Sequence, residues 1–156
     1  MAMKSWTLDW QDEEEITHPG QRAPLGASVL VVENDPSAPV ESRLEGDGYQ
    51  VHVAASARDL LATLESIRRD AFPCESLDLV VMDHPIGRSS GLDVVRAMRA
   101  SGWDVPVILL VEASSLELRR EAASLGVTVV CRPFDLDDLS HVAIASLVLG
   151  GVDEVA

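Results

Sequence analysis

Five short runs rich in Val, Leu and Ile, separated by segments of helical period, constrain this 156-residue chain more than any other feature. They are Ser28–Val32, Tyr49–Ala54, Leu77–Met82, Val105–Val111 and Val127–Cys131. A strand that is apolar on both faces must be covered on both faces, which is the condition of a parallel sheet clad in helices. The intervening segments supply those helices. Asp35-Pro36 reads as a cap and first turn, with Val40 and Leu44 on one face and Gly46 and Gly48 as the stop. Ser56 caps a second helix in which Leu60, Leu61, Leu64 and Ile67 recur at 3–4 spacing. Gly91–Ser101 buries Leu92, Val95 and Met98, and Ser114–Leu125 ends at Gly126. Asp135 caps a fifth helix, with Leu136, Leu139, Val142 and Leu149 turned inward. Five βα units in a row predict an α/β fold, a flavodoxin-like doubly wound (βα)5 with a five-stranded parallel sheet in the order 2-1-3-4-5.

The predicted organisation is an acidic extension over 1–27, a domain over 28–150 and a short tail over 151–156. The extension holds Trp6, Trp10 and the run Asp12-Glu13-Glu14-Glu15, followed by Pro19, Gly20, Pro24 and Gly26. Twelve basic against 26 acidic residues give a net charge of −14, so nucleic acid and anionic membrane are not expected partners. No segment has the length of a membrane span or the pattern of a signal peptide. Cys74 and Cys131 read as two reduced thiols, and a cytoplasmic location is expected. Eleven of the twelve basic residues are Arg; the one lysine is Lys4. No mechanism that needs a buried lysine in the body of the domain is therefore possible.

In such sheets the site lies beyond the carboxyl ends of the strands. Strand one is followed by Glu33, Asn34 and Asp35, strand three by Asp83, strand four by Val111 and Glu112, and strand five by Arg132-Pro133. Carboxylates crowded there repel one another unless a cation joins them, and a hard divalent ion such as Mg²⁺ is the natural complement. Arg132 adds a planar fork suited to phosphate oxygens. Asp83 stands where nothing structural asks for a carboxylate, and beside a cation it can act as a nucleophile toward phosphorus. Its plainer role is to start the 84–90 loop. His84 reads as a loop residue turned to solvent, and Phe134 as a packed aromatic. No glycine-rich phosphate loop follows strand one, which disfavours a nucleotide-binding domain.

Val29-Leu-Val-Val-Glu-Asn-Asp-Pro36, Leu79-Val-Val-Met-Asp83 with Ser90-Gly91-Leu92, Val105-Pro-Val-Ile-Leu-Leu110 and Arg132-Pro133-Phe134 together resemble the receiver domain of two-component response regulators. The resemblance implies a signalling module, not an enzyme. It implies a phosphoryl group accepted at Asp83 from a histidine kinase or phosphotransfer protein. It also implies Mg²⁺ held by Glu33, Asn34, Asp83 and the Pro85 carbonyl, and Arg132 in the place of a phosphate-gripping lysine. Arg132-Pro133 becomes a candidate cis peptide. The face of helix four, strand five and helix five is then the expected contact surface for a signalling protein or for a homodimer. No effector follows helix five, so a stand-alone receiver acting by protein contact is expected.

Several switch positions depart from the family. Asn34 replaces an acid, so weak Mg²⁺ binding is expected. Val111 replaces a Ser or Thr hydroxyl, Glu112 a small residue, Val129 a switch aromatic and Arg132 the lysine. Two outcomes stay open: Asp83 is phosphorylated with a different output, or the module is a pseudo-receiver that works without phosphate. A flavodoxin-like ligand binder or enzyme is the remote third, and it would require a sizeable apolar pocket.

Overall fold

A computed structural model describes residues 26–33, 39–69, 77–85 and 88–149. Asn34, Asp35, Cys74, both extension tryptophans and the tail lie outside the described residues, so the expectations placed on them stay expectations. Strands β1 (Ser28–Val32), β2 (Gln50–Ala54), β3 (Leu79–His84), β4 (Val107–Val111) and β5 (Val127–Cys131) alternate with helices. These are α1 (Pro39–Gly46), α2 (Ala57–Arg68), α3 (Gly91–Ala100), α4 (Leu116–Ser124) and α5 (Leu136–Leu149). The sheet is parallel throughout, in the order β2-β1-β3-β4-β5. The predicted architecture and strand order are therefore the observed ones.

The alternation of side chains along each strand builds two cores. Leu30, Val32, Val80, Met82, Leu109 and Val111 pack on one face with α2, α3 and α4 residues such as Leu64, Val95 and Ala122. Val29, Val31, Val81, Ile108 and Leu110 pack on the other with Leu44 of α1 and Leu139 and Ala143 of α5. Serine hydroxyls cap three helices: Ser56 accepts from the Asp59 N–H, Ser90 from Asp93 and Ser115 from Leu118. Gly126, at φ 71°, makes the left-handed turn from α4 into β5, a conformation that costs glycine nothing.

Two helix faces differ from expectation. Leu61 and Leu149 are exposed, not inward. Leu61 sits one residue, about 100°, off the Leu60–Leu64–Ile67 stripe. Leu149 ends a 14-residue helix. At ~1.5 Å per residue that helix reaches ~21 Å, beyond the ~17 Å of a five-residue strand. Among the described residues no helix is long and apolar enough to cross a membrane.

Candidate functional site at the carboxyl edge of the sheet

The polar residues of the site stand at the carboxyl ends of the apolar strands, where the strands leave the core for the loops. Glu33 directly follows β1 and is only 5% exposed. β3 continues two residues past its apolar run: Asp83 pairs with Leu110 of β4 and His84 with Val111. This corrects the expected boundary at Met82. Backbone pairing carries the ladder through polar residues as long as β4 lies alongside.

Arg132, just past β5, reaches across β4. Its Nη2 donates to Asp83 Oδ1 at 3.1 Å, with the Asp83 side chain 13% and the Arg132 side chain 32% exposed. Its Nε lies 3.7 Å from the Glu112 carboxylate, a group 77% exposed. The guanidinium carbon stands 5.6 Å from the centre of the Phe134 ring. Arg132 is thus braced on both sides and aimed at Asp83. Val111 is fully buried and Val129 nearly so, and neither offers a polar atom to the edge. The Arg132-Pro133 bond is cis, as expected from the resemblance, and so is His84-Pro85.

His84 is not the solvent-facing loop residue expected from the sequence. It lies in β3, half-buried, and its Nδ1 accepts the N–H of Gly91, the first residue of α3, at 3.0 Å. An Nδ1 that accepts places the ring proton on Nε2. The signal in the sequence was Gly91 itself, since glycine opening a helix marks a close approach. A methyl group there would stand 3.0 Å from Leu109 Cδ2, 3.1 Å from His84 Nδ1 and 3.4 Å from the Asp83 carbonyl oxygen.

The structure thus brings Asp83, Arg132 and Glu112 together, with Glu33 at the end of the neighbouring strand. Among the described residues no three His, Cys, Asp or Glu side chains group as a metal site. The oxygen donors on offer, the Glu33 and Asp83 carboxylates and the Pro85 carbonyl, still suit Mg²⁺. That ion binds through one or two carboxylates and keeps several waters.

The profile of the response regulator receiver domain matches residues 29–144, and the chain belongs to this family. It is 32% identical over 114 residues to the response regulator MprA of Mycolicibacterium vanbaalenii, covering 71% of this chain and 46% of that protein. It is 31% identical over 114 residues to the transcriptional regulatory protein ZraR of Escherichia coli K12, covering 71% and 24%. The chain therefore spans less than half the length of either relative. A receiver domain from Clostridium thermocellum superposes with a TM-score of 0.65 at 26% identity, over 80% of this chain and 95% of that one. The Vibrio cholerae chemotaxis response regulator CheY4 gives 0.61 at 26%, over 73% and 92%.

Proposed function

We propose that this chain is an atypical receiver. It works through protein–protein contacts, Asp83 is its phospho-acceptor position, and occupancy of Asp83 is not relayed through β4 and α4 by a hydroxyl and an aromatic. One observation carries the reading. Arg132 meets Asp83 at 3.1 Å on the same edge where β4 ends in buried Val111. An aspartate beside a cation supports an acceptor position, and Val111 and Val129, which have no polar side-chain atom, support the loss of the usual relay.

The chemistry follows from the geometry. A carboxylate oxygen of Asp83 attacks the phosphorus of a donor, a new P–O bond forms, and the donor's bond to its leaving group breaks with the electron pair departing on that group. Arg132 already faces Asp83, so its fork needs little reorganisation to take phosphoryl oxygens. Glu33, Asp83 and the Pro85 carbonyl would hold Mg²⁺, which supplies positive charge against the phosphoryl oxygens. Because the sequence has Asn34 where the family has an acid, the ion is expected to bind weakly. The expected partners are a histidine kinase or phosphotransfer protein on the input side and a signalling protein on the output side. The face of α4, β5 and α5 carries a groove of about 430 Å³ lined by Arg119, Val129, Val130, Pro133, Phe134 and Val142. That groove supports this face as the contact surface for a partner or a second copy.

The test is incubation with acetyl phosphate and Mg²⁺, followed by intact mass. A single phosphoryl adduct, absent from Asp83→Asn and reduced in Arg132→Met, is expected; acetate is the leaving group. If the wild-type chain takes up no phosphoryl group, Asp83 is not an acceptor and the phosphate-independent module is the better description.

A further inference from the structure

We infer that His84 is a positioning residue that couples the state of Asp83 to the amino end of α3, so that the signal leaves the site through β3 and α3 instead of β4 and α4. The inference rests on reading Asp83 as the acceptor position. Along β3, Leu79 and Val81 pack with α1 and α5, whereas Val80 and Met82 pack with α2, α3 and α4. Alternation therefore puts Asp83 on the first face and His84 on the second. His84 pairs in register with Val111, whose side chain lies in the same core as Val80 and Met82. The imidazole is thus the polar group beside the position where the hydroxyl is missing.

Its hydrogen bond makes it more than a neighbour. The first N–H groups of a helix have no partner within the helix. Here Ser90 Oγ takes the Asp93 N–H, while Gly91 donates to His84 Nδ1 at 3.0 Å. The start of α3 is therefore capped by a side chain of the sheet, one residue from the phospho-acceptor. The absence of a side chain at Gly91 lets the helix approach both the ring and the Asp83 carbonyl. A shift of backbone at Asp83–His84 moves the acceptor of that hydrogen bond directly. The start of α4 has its own local cap, Ser115 Oγ on the Leu118 N–H. Farther along, α4 is tied to α3: Arg96 of α3 pairs with Glu121, and Arg99 Nε donates to the Leu125 carbonyl at 2.9 Å. A displacement of α3 thus reaches the later part of α4 from the side.

The test compares amide hydrogen exchange over residues 91–95 and 112–118, at neutral pH, with and without beryllium fluoride plus Mg²⁺ as the phosphoryl mimic. Adduct formation is followed separately by fluorine NMR. In the wild-type chain the adduct is expected to change exchange at 91–95 by roughly three- to tenfold, the scale of one hydrogen bond, with little change at 112–118. In His84→Ala the adduct forms, exchange at 91–95 is fast in both states, and the response is lost. His84→Asn, whose Oδ1 can accept the Gly91 N–H, restores it; a purely structural role would not make this response depend on the acceptor. His84→Leu, which keeps the volume, serves if His84→Ala does not fold. An adduct whose effect appears at 112–118, or persists at 91–95 in His84→Ala or His84→Leu, overturns the inference alone. No fluorine signal from a bound adduct overturns both the inference and the acceptor reading beneath it.

Discussion

Replacing Arg99 should loosen the pairing of α3 with α4 and cost the fold more than any exposed ion pair. Its guanidinium is half-buried and donates to three carbonyls: Leu125 through Nε at 2.9 Å, and Trp103 and Val105 through Nη1 at 2.8 and 2.9 Å. These acceptors sit at the end of α4, in the turn after α3 and in the approach to β4. Burial lowers the Arg99 pKa, with Asp104 pulling the other way, and the group stays charged at any ordinary pH. A hydrogen bond to a charged group is worth ~1.5–3 kcal/mol net. Two of these bonds share one nitrogen, and water can reach part of the site, so ~1 kcal/mol each is the appropriate scale. Arg99→Ala should then lose about 3 kcal/mol, and Arg99→Lys, which keeps the charge but not the fork, about 2 kcal/mol. With a urea slope of ~2 kcal/mol per molar, the alanine variant should unfold about 1.5 M earlier. Urea unfolding followed by far-UV circular dichroism measures this. A loss below ~0.5 kcal/mol for Arg99→Ala, typical of an uncoupled surface position, would refute the clamp. So would a lysine variant as stable as the wild type, because the argument depends on geometry and not on charge.

Gly91→Ala should destabilise by about 1–3 kcal/mol, since its Cβ would press on Leu109 Cδ2 at 3.0 Å and His84 Nδ1 at 3.1 Å, and a thermal melt checks it. A variant at or above wild-type stability would show that the helix start is not closely packed. Tyr49 is buried, its hydroxyl has no hydrogen-bond partner among the described residues, and burial followed by the Asp47 charge pushes its pKa up to about 12. The folded state therefore holds the phenol proton more tightly than the unfolded chain, where the pKa is ~10. The linked stability is fully present below pH ~10 and is lost as pH rises toward about 12. Tyr49→Phe should be as stable as the wild type at neutral pH and more stable than it above pH ~10 in urea melts. Parallel curves for the two proteins across that window would refute the shift.

The strands and their order were legible because the inner strands of a parallel sheet demand apolar residues on both faces, and few other folds place four such runs and an alternating edge strand between helices. The pairing of Asp83 with Arg132 was also within reach, since the strand order alone brings the ends of β3 and β5 to one edge. What could not be read were contacts whose partner is backbone. His84 and Arg99 bind an N–H and three carbonyls, groups that every residue carries and no sequence pattern marks. The end of β3 was misplaced for the same reason: Asp83 and His84 stay in the ladder through main-chain bonds to β4, whatever their side chains.

The near-absence of lysine gains a physical meaning from these contacts. Arg43 joins α1 to α5 through Asp137 while also holding Asp47, and Asp47 in turn accepts from Ser140 of α5. Arg68 donates to the Ser101 carbonyl and stacks on Trp103, which ties α2 to the end of α3. Arg96 bridges Asp93 and Glu121, Arg99 spans three carbonyls, and Arg132 lies between Asp83 and Glu112. Four of these five side chains serve two or more acceptors and Arg68 combines one acceptor with a ring face, which suits a planar, stacking fork better than a compact ammonium. Individually the exposed pairs are worth little. Their common property is that each links elements distant in sequence. Arg132 in the lysine position then follows the same pattern as the rest of the domain: it holds Asp83 and Glu112 together. One guanidinium thus faces two carboxylates from the ends of two neighbouring strands, β3 and β4, at 3.1 and 3.7 Å.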